Sequence, residues 1–198
     1  MKASVFFYFM LLILIQPVFP QQTYHLNDIQ NVKSITWYGL DFSKAKLEND
    51  FKQPKEVKQA YINGWNEYVS SPQADIRTLL KKEHLDVDLS IVTERNLNFV
   101  NFPEQLKKGI ISQMISEYKV HKTEGIGLVF IVDSFDKSQE KAFVWVTFFD
   151  IASKKVLLTE QESGKPKHSS SMVLHWGTAM LDIMSKVPEF YRTYQKLE

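Results

Sequence analysis

Two apolar runs, IGLVFIV over residues 126–132 and AFVWVTFFDI over 142–151, constrain this chain more than any other feature. In each, both sets of alternate residues are apolar. A strand with one wet face alternates apolar and polar, so a two-sided run belongs to a strand covered on both faces. The polar stretch Asp133 to Lys141 between them is short enough for a hairpin tip, which makes the runs adjacent antiparallel strands at the centre of a sheet. Ala152 to Lys155 then turns the chain into a third strand, Val156 to Glu162, whose apolar character fades toward an exposed end.

The rest of the chain supplies layers for that sheet. SITWYGLDF, residues 34–42, is rich in β-branched and aromatic side chains and reads as a first strand. Its pleat puts Ile35 and Trp37 on one face and Thr36, Tyr38 and Leu40 on the other. Pro54 suits a first helical position, and Val57, Ala60, Tyr61, Gly64 and Tyr68 recur at helical spacing to about Ser70. Ser71-Pro72 restarts a short helix carrying Ile76, Leu79 and Leu80. Leu85 to Ile91 alternates strictly and predicts an edge strand. A helix over 103–120 presents Leu106, Ile110, Met114 and Tyr118 as one stripe, and a helix over 171–187 faces the core with Val173, Trp176, Met180, Met184 and Val187. Pro188 is expected to interrupt that last helix, with Glu189 to Lys196 as a separate short helix or a kinked continuation. The order β-α-α-β-α-β-β-β-α predicts an α/β (α+β) domain: a mixed, largely antiparallel sheet of four or five strands with helices packed on it.

At the amino end, Lys2 precedes the apolar run Val5 to Ile15, closed by Gln16 and Pro17, the layout of a signal peptide. The run is half the length of about 20 residues that a spanning helix needs. We read residues 1–22 as a signal peptide and 23–198 as one domain, with no transmembrane span after cleavage and a periplasmic or secreted location. Removal of 1–22 leaves 23 basic and 23 acidic residues, and no block of five like charges occurs, which argues against nucleic-acid binding. The absence of cysteine excludes thiol chemistry, disulfides and cysteine-ligated zinc.

No nucleotide-binding, nucleophile-elbow, zinc-protease or calcium-loop spacing is present, and no cofactor is implied. His25, His84, His121, His168 and His175 are scattered, so no metal site is expected. The sharpest acid–base candidate is His175 with Asp182, two helical turns apart on one face, with Trp176 as a wall and the loop 164–171 as a cover. Asp133 and Asp136 form a candidate carboxylate pair, and Lys165, Lys167 and His168 a small basic loop. Trp37, Tyr38 and Trp145, with Phe148 and Phe149, are candidates to line an apolar ligand pocket, although aromatics on two-sided strands are ordinary core.

ITWYGLDFSKAKL, GIGLVFIVDSFDKSQEKAFVWVTFFDIASKKVLLTEQESGK and the helix around Trp176 resemble a family of small exported proteins of Bacteroidetes-type bacteria with no assigned activity. The likeness covers most of the chain after residue 22. The family's glycine-rich turn after Gly-Lys is replaced here by the Ser-rich Pro166 to Ser171. More distantly, FFDIASKKVLLTE is similar to a hairpin of TolB N-terminal and CsgG-type periplasmic domains, which implies envelope assembly or protein interaction. The expectation is a non-enzymatic exported protein that binds a protein or peptide partner in the cell envelope through the Leu85 to Ile91 edge. The alternatives are a hydrolase or lyase near His175 and a carrier of a small apolar ligand.

Overall fold

The computed structural model describes residues 22–47, 55–99 and 104–194; residues 1–21 of the expected signal peptide, Pro54 and Pro103 lie outside them. The two-sided runs become β4 (Ile126–Asp136) and β5 (Lys141–Asp150), antiparallel from Ile126 opposite Asp150 to Asp136 opposite Lys141. Both strands extend into the stretch expected to be the tip, which shrinks to residues 137–140. Phe130 and Val146 face each other and are fully buried. β6 (Val156–Gly164) adds antiparallel to β5, while β1 (Ser34–Asp41) runs parallel to β4 and to β3 (His84–Val87). The strand order is β3-β1-β4-β5-β6, and β2 (Lys46–Leu47) continues beyond β1 to pair with the far end of β4. Among the described residues the sheet is therefore mixed and six-stranded, partly antiparallel, with six α-helices packed on it. A two-residue strand such as β2 carries no periodicity, so only the tertiary pairing reveals it.

The helices divide the sheet's surroundings into two cores. On one face α1 (Asp28–Asn31), α2 (Lys55–Val69), α3 (Ile76–Leu79) and α6 (Met172–Tyr194) cover Ile35, Trp37, Phe130, Val146 and Phe148. On the other, α4 (Ser90–Asn96) and α5 (Lys108–Ser116) cover Tyr38, Val129, Ile131 and Phe149. Both faces are dry, which is why the runs 126–132 and 142–146 within β4 and β5 are apolar on both pleat faces.

Three local expectations change, and one pair of alternatives is decided. Leu40 belongs to the Trp37 core, not the Tyr38 face, because the β1–β4 register shifts between Trp37 and Leu40, where Gly39 has φ +94°. The bulge resets the alternation. The expected strand from Leu85 to Ile91 stops at Val87, and Ile91 faces the second core from α4. The Asp88 carboxylate accepts hydrogen bonds from the Ser90 N–H and hydroxyl, a local turn that competes with further pairing. The helix expected over 103–120 begins only at Lys108 and ends at Ser116, since the Leu106 N–H donates to Asp133 Oδ1 across the sheet end. Of the two alternatives at Pro188, continuation holds: α6 runs through it to Tyr194. Proline removes one helical hydrogen bond, but Val187 and Pro188 are both buried, and that packing holds the helix together.

Candidate functional site

The chain leaves β1 across the α2 face to reach β3 on one side, then returns across the α4–α5 face to β4 on the other. The β1–β4 boundary is thus a topological switch point, and in open α/β sheets the crevice outside the carboxyl ends of such strands is where ligands sit. Asp41, fully buried, is the last residue of β1. Its Oδ1 accepts from the Ser43 N–H at 2.8 Å. Its Oδ2 accepts from Arg95 Nε at 2.9 Å and from the Tyr118 hydroxyl at 2.7 Å. The guanidinium lies 5.0 Å from the centre of the Tyr118 ring, a cation–π stack. Burial works against the charge on Arg95, but the adjacent Asp41 carboxylate more than offsets it and raises its pKa. Burial, then the same carboxylate, pushes the Tyr118 hydroxyl well above its ordinary value, so it stays a donor. Beside this group opens a cleft of about 210 Å³ lined by Ile91, Glu94, Arg95, Asn98, Glu117 and Lys119 with Tyr118.

None of Asp41, Arg95 and Tyr118 was among the candidates read from the sequence. They lie 54 and 77 positions apart along the chain, so no motif spacing joins them. The one available signal is Asp41 itself, a carboxylate closing an otherwise apolar strand.

His175 and Trp176 line a separate cleft of about 350 Å³ with Lys137, Glu140, His168, Ser169, Ser170 and Met172. The loop 164–171 therefore does border His175. The two rings meet edge to face at 5.1 Å, and the buried His175 Nδ1 has no hydrogen-bond partner. Asp182 is engaged elsewhere: its Oδ2 accepts from the Lys165 N–H and from Lys186 Nζ, both at 3.0 Å. No hydrogen bond joins it to His175.

The aromatic candidates are split by the sheet. Trp37 lies in the first core, with its indole N–H donating to Ser70 Oγ at 2.9 Å and its ring edge-on to Phe130. Tyr38 and Trp145 lie in the second, where the Tyr38 hydroxyl and the Trp145 indole nitrogen are buried without partners. Burial is the main cause that raises the Tyr38 pKa, followed by Asp88 and Asp86. The two carboxylates at the hairpin also separate. Asp133 accepts from the Leu106 N–H and Gln161 Nε2 and is buried, which raises its pKa. Asp136 serves the turn through Ser138 and Gln139. Among the described residues no group of three or more His, Cys, Asp and Glu could hold a metal ion.

The sheet has two edges. At β3, the His84 N–H donates to Lys33 O and the Asp88 N–H to Trp37 O. Backbone direction alternates along a strand, so the N–H and C=O groups of Leu85 and Val87 point away from β1, off the outer side of this edge strand. Val87 is 49% exposed. At the other edge, β6, the Ser163 carbonyl accepts from Lys186 Nζ and its N–H donates to Glu162 Oε2, so side chains close that end.

Fold and sites together define a mixed α/β fold with an edge strand at β3 and, among its surface clefts, one beside Arg95 and one beside His175. No protein-family model matches the chain, and no curated protein is similar to it. Among solved structures, the crystal structure of a Xanthomonas campestris protein of the DUF330 family is similar with a TM-score of 0.35 and 9% identity, over 91% of each chain. A likeness at that level carries no argument about activity. Among the described residues no helix is long and apolar enough to cross a membrane.

Proposed function

We propose that this protein is an exported, non-enzymatic binding protein of the cell envelope that takes an extended segment of a partner protein against β3. The observation that carries the reading is the pair of outward-facing backbone units at Leu85 and Val87 on the edge of a sheet covered on both faces. Strand addition draws affinity from main-chain hydrogen bonds and needs no catalytic constellation. The short strand and the ion pair between Lys122 and Asp86 limit indiscriminate edge pairing, so recognition has to be selective. The apolar segment at residues 5–15 and the resemblance to exported and periplasmic domains support the envelope setting.

The test is a photo-crosslinker at His84 in native envelopes, with and without Val87→Pro. Proline at 87 removes an outward N–H that β1 does not use, so the fold persists while strand addition fails. A captured partner lost on Val87→Pro, with the melting temperature within a few degrees, is the expected result. Capture unaffected by the proline, or occurring only from a probe on β6, would overturn the reading.

A second reading, a hydrolase or lyase, rests on the cleft where His175 meets His168, Ser169 and Ser170. His175→Ala would then abolish an activity found by substrate screening without lowering stability. The open position of Asp182, held by Lys165 and Lys186, gives His175 no orienting carboxylate and places this reading second.

A further inference from the structure

The Arg95 guanidinium carries five N–H donors. The edge formed by Nε and Nη2 is spent inward, on Asp41 Oδ2 and, at 3.3 Å, on Ser43 Oγ. The remaining three, on Nη1 and the outer side of Nη2, make no hydrogen bond among the described residues. The nearest outer acid, Glu117, stands 3.7 Å from Nη1, an ion pair beyond hydrogen-bond reach. The Arg95 side chain is 19% exposed, and it forms part of the wall of the 210 Å³ cleft between α4 and the segment 117–119.

We propose that this cleft binds a carboxylate through the outer edge of Arg95. An arginine fixed on one edge by a buried carboxylate and stacked on a tyrosine ring has lost its rotamer freedom in folding, so binding costs it little further entropy. Its free edge offers two parallel N–H groups at the spacing of carboxylate oxygens. On the rim Lys119 and Glu94 pair at 3.9 Å and offset each other, so Glu117 is the charge that opposes an incoming anion. That balance favours a singly charged carboxylate over a phosphate dianion, and it places Glu117 as the internal competitor that the ligand displaces. The site is independent of the β3 edge. Two sources share the required chemistry, a small free acid and the carboxyl terminus of a peptide.

Chemical-shift mapping on the purified protein decides it, with N-acetylalanine, acetyl-trialanine and acetyl-trialanine amide as probes. Both acids should saturably shift the backbone amides of Arg95, Asn98 and Glu117, and the amide should not. A tripeptide acid binding about tenfold more tightly than N-acetylalanine identifies a peptide terminus; equal or weaker binding identifies a small acid. Arg95→Gln should abolish binding, but it also leaves Asp41 buried without its cation, so the fold itself is at risk. Glu117→Gln, on an exposed rim position, avoids that problem and should tighten both acids by about threefold to tenfold as the competing charge is removed. No saturable shift from either acid, binding of the amide as well as the acid, or unchanged affinity in Glu117→Gln would each overturn the proposal.

Discussion

Asn66 on α2 bonds both backbone groups of Leu40, its Oδ1 accepting from the Leu40 N–H at 2.7 Å and its Nδ2 donating to the Leu40 carbonyl at 3.1 Å. From α4, Asn96 donates to the same carbonyl at 2.9 Å and accepts from the Phe42 N–H at 2.7 Å. Leu40 stays in register with Phe130 of β4, and the two asparagines serve its backbone where β3 has already ended at Val87, holding the end of β1 where Asp41 must point into the second face.

Asn66→Ala should therefore destabilise the fold. It leaves the buried Leu40 N–H without an acceptor, at about 1 to 3 kcal/mol, while Asn96 still serves the carbonyl. Gly39→Ala should cost at least as much, because φ is +94° and the added Cβ would stand 2.6 Å from Asn66 Oδ1. Urea unfolding with unchanged slope would measure both; losses below about 0.5 kcal/mol would contradict the clamp.

Asp41→Asn should cost on the order of 3 kcal/mol, since it removes the buried counter-ion of the largely buried Arg95 and leaves it only the exposed Glu117 at 3.7 Å. Tyr118→Phe removes one hydrogen bond to a charged acceptor and should cost about 1.5 to 3 kcal/mol. A double-mutant cycle should show strong coupling between these two positions, and additive effects would argue against a single network.

Asp133→Asn tests a pH dependence. Burial raises the Asp133 pKa above its ordinary value, so the folded chain holds this proton more tightly than the unfolded chain. The stabilisation this gives is fully present below the unfolded pKa and is lost as pH rises through the folded value. Asparagine keeps an acceptor for the Leu106 N–H, and Gln161 can turn its amide to match. The variant should melt higher than the natural protein at pH 7, with the gap closing as pH falls below the ordinary carboxylate range. A gap that widens on acidification would refute the assignment.

Amide exchange should be slowest in β4 and β5, the two inner antiparallel strands with dry faces. Phe130→Ala should cost about 3 to 5 kcal/mol, given complete burial of the ring against Trp37. Exchange in β4 as fast as in β3 would be inconsistent with this core.

The sequence by itself determined the local periodicities: the two-sided runs of β4 and β5, the apolar stripes that put Trp176, Met180 and Met184 of α6 against the sheet, and the alternation that marks Leu85 as edge strand. These are legible because burial on a strand or helix follows a fixed repeat within a dozen residues. Tertiary structure alone decided the parallel pairing of β1 with β3 and β4, the bulge at Gly39 that moves Leu40 to the other face, the passage of α6 through Pro188, and the convergence of Asp41, Arg95 and Tyr118. Each depends on groups far apart in the chain satisfying one another's buried hydrogen bonds and charges, and no local pattern records which partner will supply them.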